Sequence, residues 1–212
     1  MKIDKTTCWY NKECCKNALE YAQGVSLTQV SNFKILKDFI LLTALTNQKL
    51  KLLDIGCGSS SLQNTEVIKN NFYYTGLDIE VAIKNIAQQI HSNGNYIICD
   101  IVESTEKELE FIKSYDVLVM NAFVDVMQYP IEILTKILSC GNKYVIIHRQ
   151  RTTNDKTIVK KHPSYGGQTC CSLINTGDFA NLIDKNNFKI IGKKIIRKKA
   201  DSDLCSFILK RM

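Results

Sequence analysis

The chain has 212 residues, of which 45% are hydrophobic and 23% charged, a balance that suits one soluble domain able to bury a full core. No apolar run nears the ~20 residues of a membrane span, and the start MKIDKTTCWYNKE lacks the apolar stretch of a secretory leader, so a cytoplasmic location is expected. The net charge of +7 admits an anionic substrate or nucleic acid, but no aromatics interleave with Lys193, Lys194, Arg197, Lys198 and Lys199, which read as a solvated edge strand.

Helical periodicity covers residues 11–23 and 26–46. In the second, Val30, Phe33, Leu36, Phe39 and Ile40 share a face, and Ser26 stands where it can cap the start. From Lys51 onward strands are predicted at 51–55, 73–78, 95–99, 116–120, 143–148, 188–197 and 205–211. Helices are predicted near 63–70, 81–91, 104–113, 131–139 and 177–186. VLVM and YVIIH are unbroken apolar runs, as in a parallel sheet covered on both faces. The last two strands leave no room for a helix between them and should form a hairpin. Residues 1–48 read as an N-terminal helical cap, and 49–212 as one compact unit.

The nine cysteines are odd in number and include no CxxC pair, so free thiols are expected and a metal site is not.

The segment LLDIGCGSSSL, Leu52 to Leu62, reads as a buried strand ending in an acid and a glycine turn. About 20 residues later YYTGLDIE ends in a second acid, the plan of a nucleoside-type cofactor site at a sheet edge. Gly56 and Gly58 let the backbone approach a ligand. Asp54 is poorly placed for a pyrophosphate and well placed for a cation, such as the sulfonium and ammonium of S-adenosylmethionine. Ser61 stands where a third glycine would complete a dinucleotide turn, a second point against NAD. Asp78 can accept both ribose hydroxyls, with Ile79 over the adenine. Asp100 can accept from the adenine amino group. As plain caps these acids would need no ligand. Yet all three end consecutive strands facing one crevice.

The set LLDIGCGSS, TGLDIE, IICDI and YDVLVMNAFVDVM resembles the class I S-adenosylmethionine-dependent methyltransferases. The resemblance implies an α/β fold: a Rossmann-like, seven-stranded, mostly parallel sheet with helices on both faces, a C-terminal antiparallel hairpin and added N-terminal helices. It places Asp54, Gly56 and Gly58 around the methionine part, Asp78 at the ribose, Asp100 and Ile101 at the adenine, and Asn121 near the methyl group. S-adenosylhomocysteine would be the product. Trp9 and Tyr10 resemble a lid element of related enzymes. KYVIIHRQ with SYGGQTCCSLINTGDFANLI is similar to a bacterial group of methyltransferases assumed to act on glycans or other small metabolites.

Methyl transfer from a sulfonium mainly needs a positioned acceptor, and a hydroxyl acceptor also benefits from a base. Asp125, past the fourth strand, and His148, ending the fifth, are the catalytic candidates; a helix cap and a core histidine are the alternatives. Arg149 and Arg151 can clamp an anionic substrate group. The polar stretch from Gln150 to Thr169 reads as a substrate lid or as disorder, and places His162 and Tyr165 as substrate contacts. The expected activity is methyl transfer to a small-molecule or glycan hydroxyl. RNA methylation and a non-catalytic cofactor-binding subunit are the alternatives. The first is weakened by NAFV after the fourth strand, where many amino-directed nucleic-acid enzymes carry Asn/Asp-Pro-Pro-aromatic.

Overall fold

The computed structural model of the protein describes residues 8–24, 32–45 and 48–212. Ser26 and Val30, expected at the start of the second helix, lie outside the described residues. A 3-10 turn, Cys8–Tyr10, leads into α1 (Lys12–Gly24) and α2 (Phe33–Thr43). Then come β1 (Leu50–Ile55), α3 (Glu66–Asn71) and β2 (Phe72–Asp78). A helical stretch follows, made of α4 (Glu80–Ala82), a π-turn over Ile83–Ala87 and α5 (Gln88–Ile90). The chain continues through β3 (Tyr96–Ile98), β4 (Val117–Asn121), α6 (Pro130–Cys140) and β5 (Tyr144–Thr153). It ends with β6 (Ile158–Ser164), β7 (Gly167–Asn175), α7 (Thr176–Lys185), β8 (Phe188–Lys198) and β9 (Asp203–Arg211).

Strands β3, β2, β1, β4 and β5 run parallel in that spatial order. Antiparallel β9 lies on the other edge of β5, with β8 outside it. This is the expected mostly parallel sheet with a terminal hairpin. Leu52, Leu53, Asp54 and Ile55 are all buried in succession, because helices cover both faces. Each fully buried Leu or Ile among them contributes roughly 1.5–3 kcal/mol. Pro130 opens α6, where its missing N–H costs nothing. Asn175 caps α7, its Oδ1 accepting from the N–H groups of Gly177 and Asp178 at 2.8 and 3.0 Å.

The N-terminal helices pack on the sheet: Phe33, Leu36, Phe39 and Ile40 of α2 share one cluster with Leu52, Val119, Ile146 and Ile208. Two expectations need correction. The helix expected over 104–113 is only a 3-10 turn, Glu110–Ser114. Upstream of that turn, Lys136 Nζ ties down the carbonyls of Val102 and Ser104 at 3.1 and 2.7 Å.

The second correction bears on function. The sheet has nine strands rather than seven, and the added pair is the stretch read as a polar loop. β6 and β7 pair antiparallel from Ile158↔Leu173 to Ser164↔Gly167. Their two-residue turn is Tyr165-Gly166, both with positive φ (50° and 79°), the type I′ backbone whose twist matches a hairpin. Over Tyr144–His148 the inner edge of β5 is covered by β4. Beyond that, β7 takes the edge in parallel at Arg151–Thr153. The hairpin therefore continues the sheet past the ends of the central strands.

Candidate active site

A cavity of about 440 Å³ opens at the carboxyl ends of β1 to β5, within the usual range for small-molecule sites. Asp54, Gly56, Gly58, Asp78, Ile79, Asp100, Ile101 and Asn121 all line it, as do Arg149 and Tyr165.

Asp54 is buried, and its Oδ2 accepts from the Tyr74 hydroxyl at 2.7 Å. Burial pushes its carboxyl up to about 7; the Tyr74 bond opposes this and the Asp78 charge adds to it. Asp78 Oδ2 accepts from the Gly58 N–H at 2.9 Å, and Oδ1 from the N–H of Ile79 at 2.8 Å. Burial raises this carboxyl to about 6, against the pull of those two N–H groups. Each Asp78 oxygen keeps a lone pair for a further donor.

Asp100 is more fully used by the protein. Its Oδ1 accepts from the N–H groups of Val102 and Glu103 at 3.0 and 3.3 Å, and Oδ2 from the Tyr10 hydroxyl at 2.8 Å. A carboxylate has about four acceptor sites, so one is left. Burial and the Asp100 bond push the Tyr10 phenol up.

The glycine turn is tight for a specific reason. Gly56 has φ 70°, and a Cβ there would overlap the Phe123 ring. Asn121, ending β4, has a buried Oδ1 with no hydrogen-bond partner. An orphaned acceptor at a cavity wall is free to take a donor from a ligand or a water.

Two segments roof the cavity. Trp9 Nε1 donates to Thr169 Oγ1 of β7 at 3.0 Å, and the Trp9 and Tyr165 rings meet edge-on at 5.5 Å. Asn17 Nδ2 of α1 donates to the Tyr165 carbonyl at 3.0 Å. The N-terminal segment and the hairpin tip thus clasp each other over the site.

Four expected residues, His148, His162, Asp125 and Arg151, are absent from the cavity lining. His148 is only 2% exposed, and its Nδ1 lies 2.6 Å from Ser206 Oγ of β9. Burial first, then the Arg149 charge, depress its pKa to about 3. It sits in the core, held at Nδ1 and outside the cavity lining. His162 sits exposed on β6, paired with Thr169. Asp125 lies in a 3-10 turn, Val124–Val126, 8% exposed and off the lining. Sequence reading passed over Tyr74, Phe123 and the cavity-lining Met127, Gln128 and Tyr129. For the last three the signal was position, directly after the NAFVDV segment.

Among the described residues no cluster of His, Cys, Asp or Glu could hold a metal ion, and no helix is long and apolar enough to cross a membrane.

Residues 36–151 match the family model of the methionine biosynthesis protein MetW. The chain belongs to the MetW family. No curated protein matches the chain at a significant level. Among solved structures, this MetW-family chain is similar to an S-adenosylmethionine-dependent methyltransferase from Clostridium acetobutylicum. The TM-score is 0.61 at 10% identity, over 93% of this chain and 99% of that one. A methyltransferase of the same kind from Methanosarcina mazei gives 0.59 at 16% identity, over 82% and 97%. The magnesium protoporphyrin IX methyltransferase of Synechocystis, solved with S-adenosylmethionine bound, gives 0.57 at 14% identity, over 84% and 77%. At such identities the likeness is one of fold. The MetW-family match spans β1 to β4 and most of β5, and so every acid of the cavity.

Proposed function

We propose that the chain binds S-adenosylmethionine and transfers its methyl group to a small-molecule acceptor. The observation that carries this reading is the convergence of Asp54, Asp78 and Asp100 on one end of a single cavity. Two of these carboxyls are held above their ordinary range by burial. Such an end repels phosphates and suits a ligand with positive charge and paired hydroxyls. In this reading Asp54, Gly56 and Gly58 surround the amino-acid part, Asp78 takes the ribose, and Asp100 with Ile79 and Ile101 takes the adenine. Asn121 lies toward the methyl group.

Held by Asp54, Gly56, Gly58 and Asp78, the cofactor would supply a methyl carbon activated by sulfonium. The chain itself orients the partners and excludes water beneath the Trp9–Tyr165 roof. The expected acceptor is a hydroxyl of a small molecule or glycan. With His148 buried against Ser206, no imidazole stands ready to take that proton. An acceptor oxygen that ionises by itself fits better than a sugar hydroxyl. The same observation gives weight to a second reading, a cofactor-binding subunit without turnover. The nucleic-acid reading gains nothing, since Lys193, Lys194, Arg197 and Lys198 lie on outer strand β8 and none lines the cavity.

The test is calorimetric titration with S-adenosylhomocysteine, with NAD as control, followed by methyl-transfer assays on acidic small molecules. Micromolar binding of the first ligand alone, with a methylated product, is the expected result. Binding without product from any acceptor supports the subunit reading. Binding of NAD instead, or of neither, overturns both.

A further inference from the structure

At the far end of the cavity from the three carboxylates the charge reverses. Strand β5 bulges between Ile147 and Gln150 where it pairs with β9. Arg149 sits in that bulge with φ 66°. A non-glycine residue held there costs on the order of 1–3 kcal/mol, and such strain concentrates where a side chain must be aimed. The neighbouring strand does the same: Ala122, just past β4, has φ 52° and donates its N–H to the His148 carbonyl at 3.0 Å.

Arg149 lines the cavity, and its Nε is buried without a hydrogen-bond partner. Arg151, two residues on along the same strand, has a buried Nε in the same condition. Neither guanidinium has a carboxylate within ion-pair distance among the described residues. The acid that feels both is the buried Asp125, whose Oδ1 is likewise unpartnered. Two guanidiniums against one carboxylate leave one positive charge over. A partly buried charge with unmade hydrogen bonds is costly until an opposite charge meets it.

We propose that Arg149 holds a carboxylate or phosphate of the methyl acceptor, making this end of the cavity an anion subsite; the inference rests on the methyltransferase reading above. The guanidinium fork matches either group in a bidentate contact. Asp125 offsets one of the two positive charges and leaves the other for the ligand. Trp9, Tyr129, Tyr165 and Met127 wall the same cavity, so the anion is attached to a flat, apolar body. The cavity is therefore polarised, with a cationic cofactor at the acid end and an anionic acceptor at the arginine end.

The experiment uses the full chain saturated with S-adenosylhomocysteine. Trp9 is the single tryptophan and lies in the roof, so its fluorescence reports binding. The probes are benzoate and phenyl phosphate, with methyl benzoate and benzyl alcohol as neutral counterparts. Benzoate or phenyl phosphate should bind at least tenfold tighter than its neutral counterpart, and whichever binds better names the acceptor's anion. Arg149→Gln should abolish that preference, and Arg149→Lys should restore part of it. S-adenosylhomocysteine affinity, titrated separately, should stay within twofold in both variants. Equal binding of charged and neutral probes to the wild type, or no binding of either anion, overturns the subsite without needing a variant. So does an Arg149→Gln protein that keeps the preference. Failure of S-adenosylhomocysteine to bind the wild type overturns the underlying reading instead.

Discussion

The backbone N–H of Gly58 donates to Asp78 Oδ2 at 2.9 Å, so the turn after β1 is fixed by the last residue of β2. In the proposed reading the same carboxylate that shapes the glycine turn also takes the ribose. Asp78→Ala should weaken S-adenosylhomocysteine binding by roughly 1–3 kcal/mol, the cost of losing a charged hydrogen-bond partner. Calorimetry reads this directly, and unchanged affinity would remove Asp78 from the site.

Cofactor affinity should depend on pH with a definite sign. In the protein Asp54 and Asp78 titrate near 7 and near 6, raised by burial. A cationic ligand favours their ionised forms, so binding below those values must first expel protons. Affinity should fall about tenfold per pH unit below pH ~7, and more steeply below ~6. Adenosine, which lacks the charged part, should show a shallower fall. A flat profile for both ligands would mean that the acids do not touch the cofactor.

His148 carries a stability prediction of a different kind. Its folded pKa is depressed to about 3 from an ordinary 6.5, so the unfolded chain binds the extra proton. Stability from keeping it neutral is full above pH ~6.5 and is lost as pH falls, by about 1.4 kcal/mol per unit until the folded value is reached. Urea unfolding of the wild type and His148→Gln at about pH 7.5 and 5.5 should show the variant's deficit shrinking at the lower pH. A deficit that stays constant would argue against a buried neutral imidazole.

Gly56→Ala places a methyl against Phe123 and asks alanine to hold φ 70°. Destabilisation of about 1–3 kcal/mol is expected from the overlap alone. In a Phe123→Ala background the penalty should shrink but not vanish, since the backbone strain remains. An equal penalty in both backgrounds would mean that the ring is not what forbids the side chain.

The clasp should govern ligand exit. Trp9→Ala removes the bond to Thr169 and the ring contact with Tyr165. S-adenosylhomocysteine should then leave roughly tenfold faster in stopped-flow experiments. Tyr165→Ala should add less than its own single effect, because the two rings act together.

The acids of the site were legible because each lies within two residues of a strand's end, and strand ends are visible as apolar runs meeting a carboxylate. The roof was not. β6 is IVKKHPS with no buried residue, and β7 buries Thr169, Cys170 and Ser172 beside its Leu173 and Ile174. Neither shows hydrophobic alternation, since one is an edge and the other packs through small polar groups, Ser172 Oγ donating to the Val124 carbonyl at 2.9 Å. Nor could spacing reveal that Ser206 meets His148, or that a 3-10 turn carries Asp125 behind the cavity wall. Each depends on a contact far along the chain.

β6 and β7 are joined to each other over seven residue pairs, but β7 meets β5 over only three, Arg151 with Leu173 through Thr153 with Asn175. Such a flap can peel from the body of the sheet as one piece without unzipping itself. Its root at Arg151 lies two residues from Arg149, so in the proposed reading an acceptor that enters past the flap would meet its charge partner on the same short length of backbone.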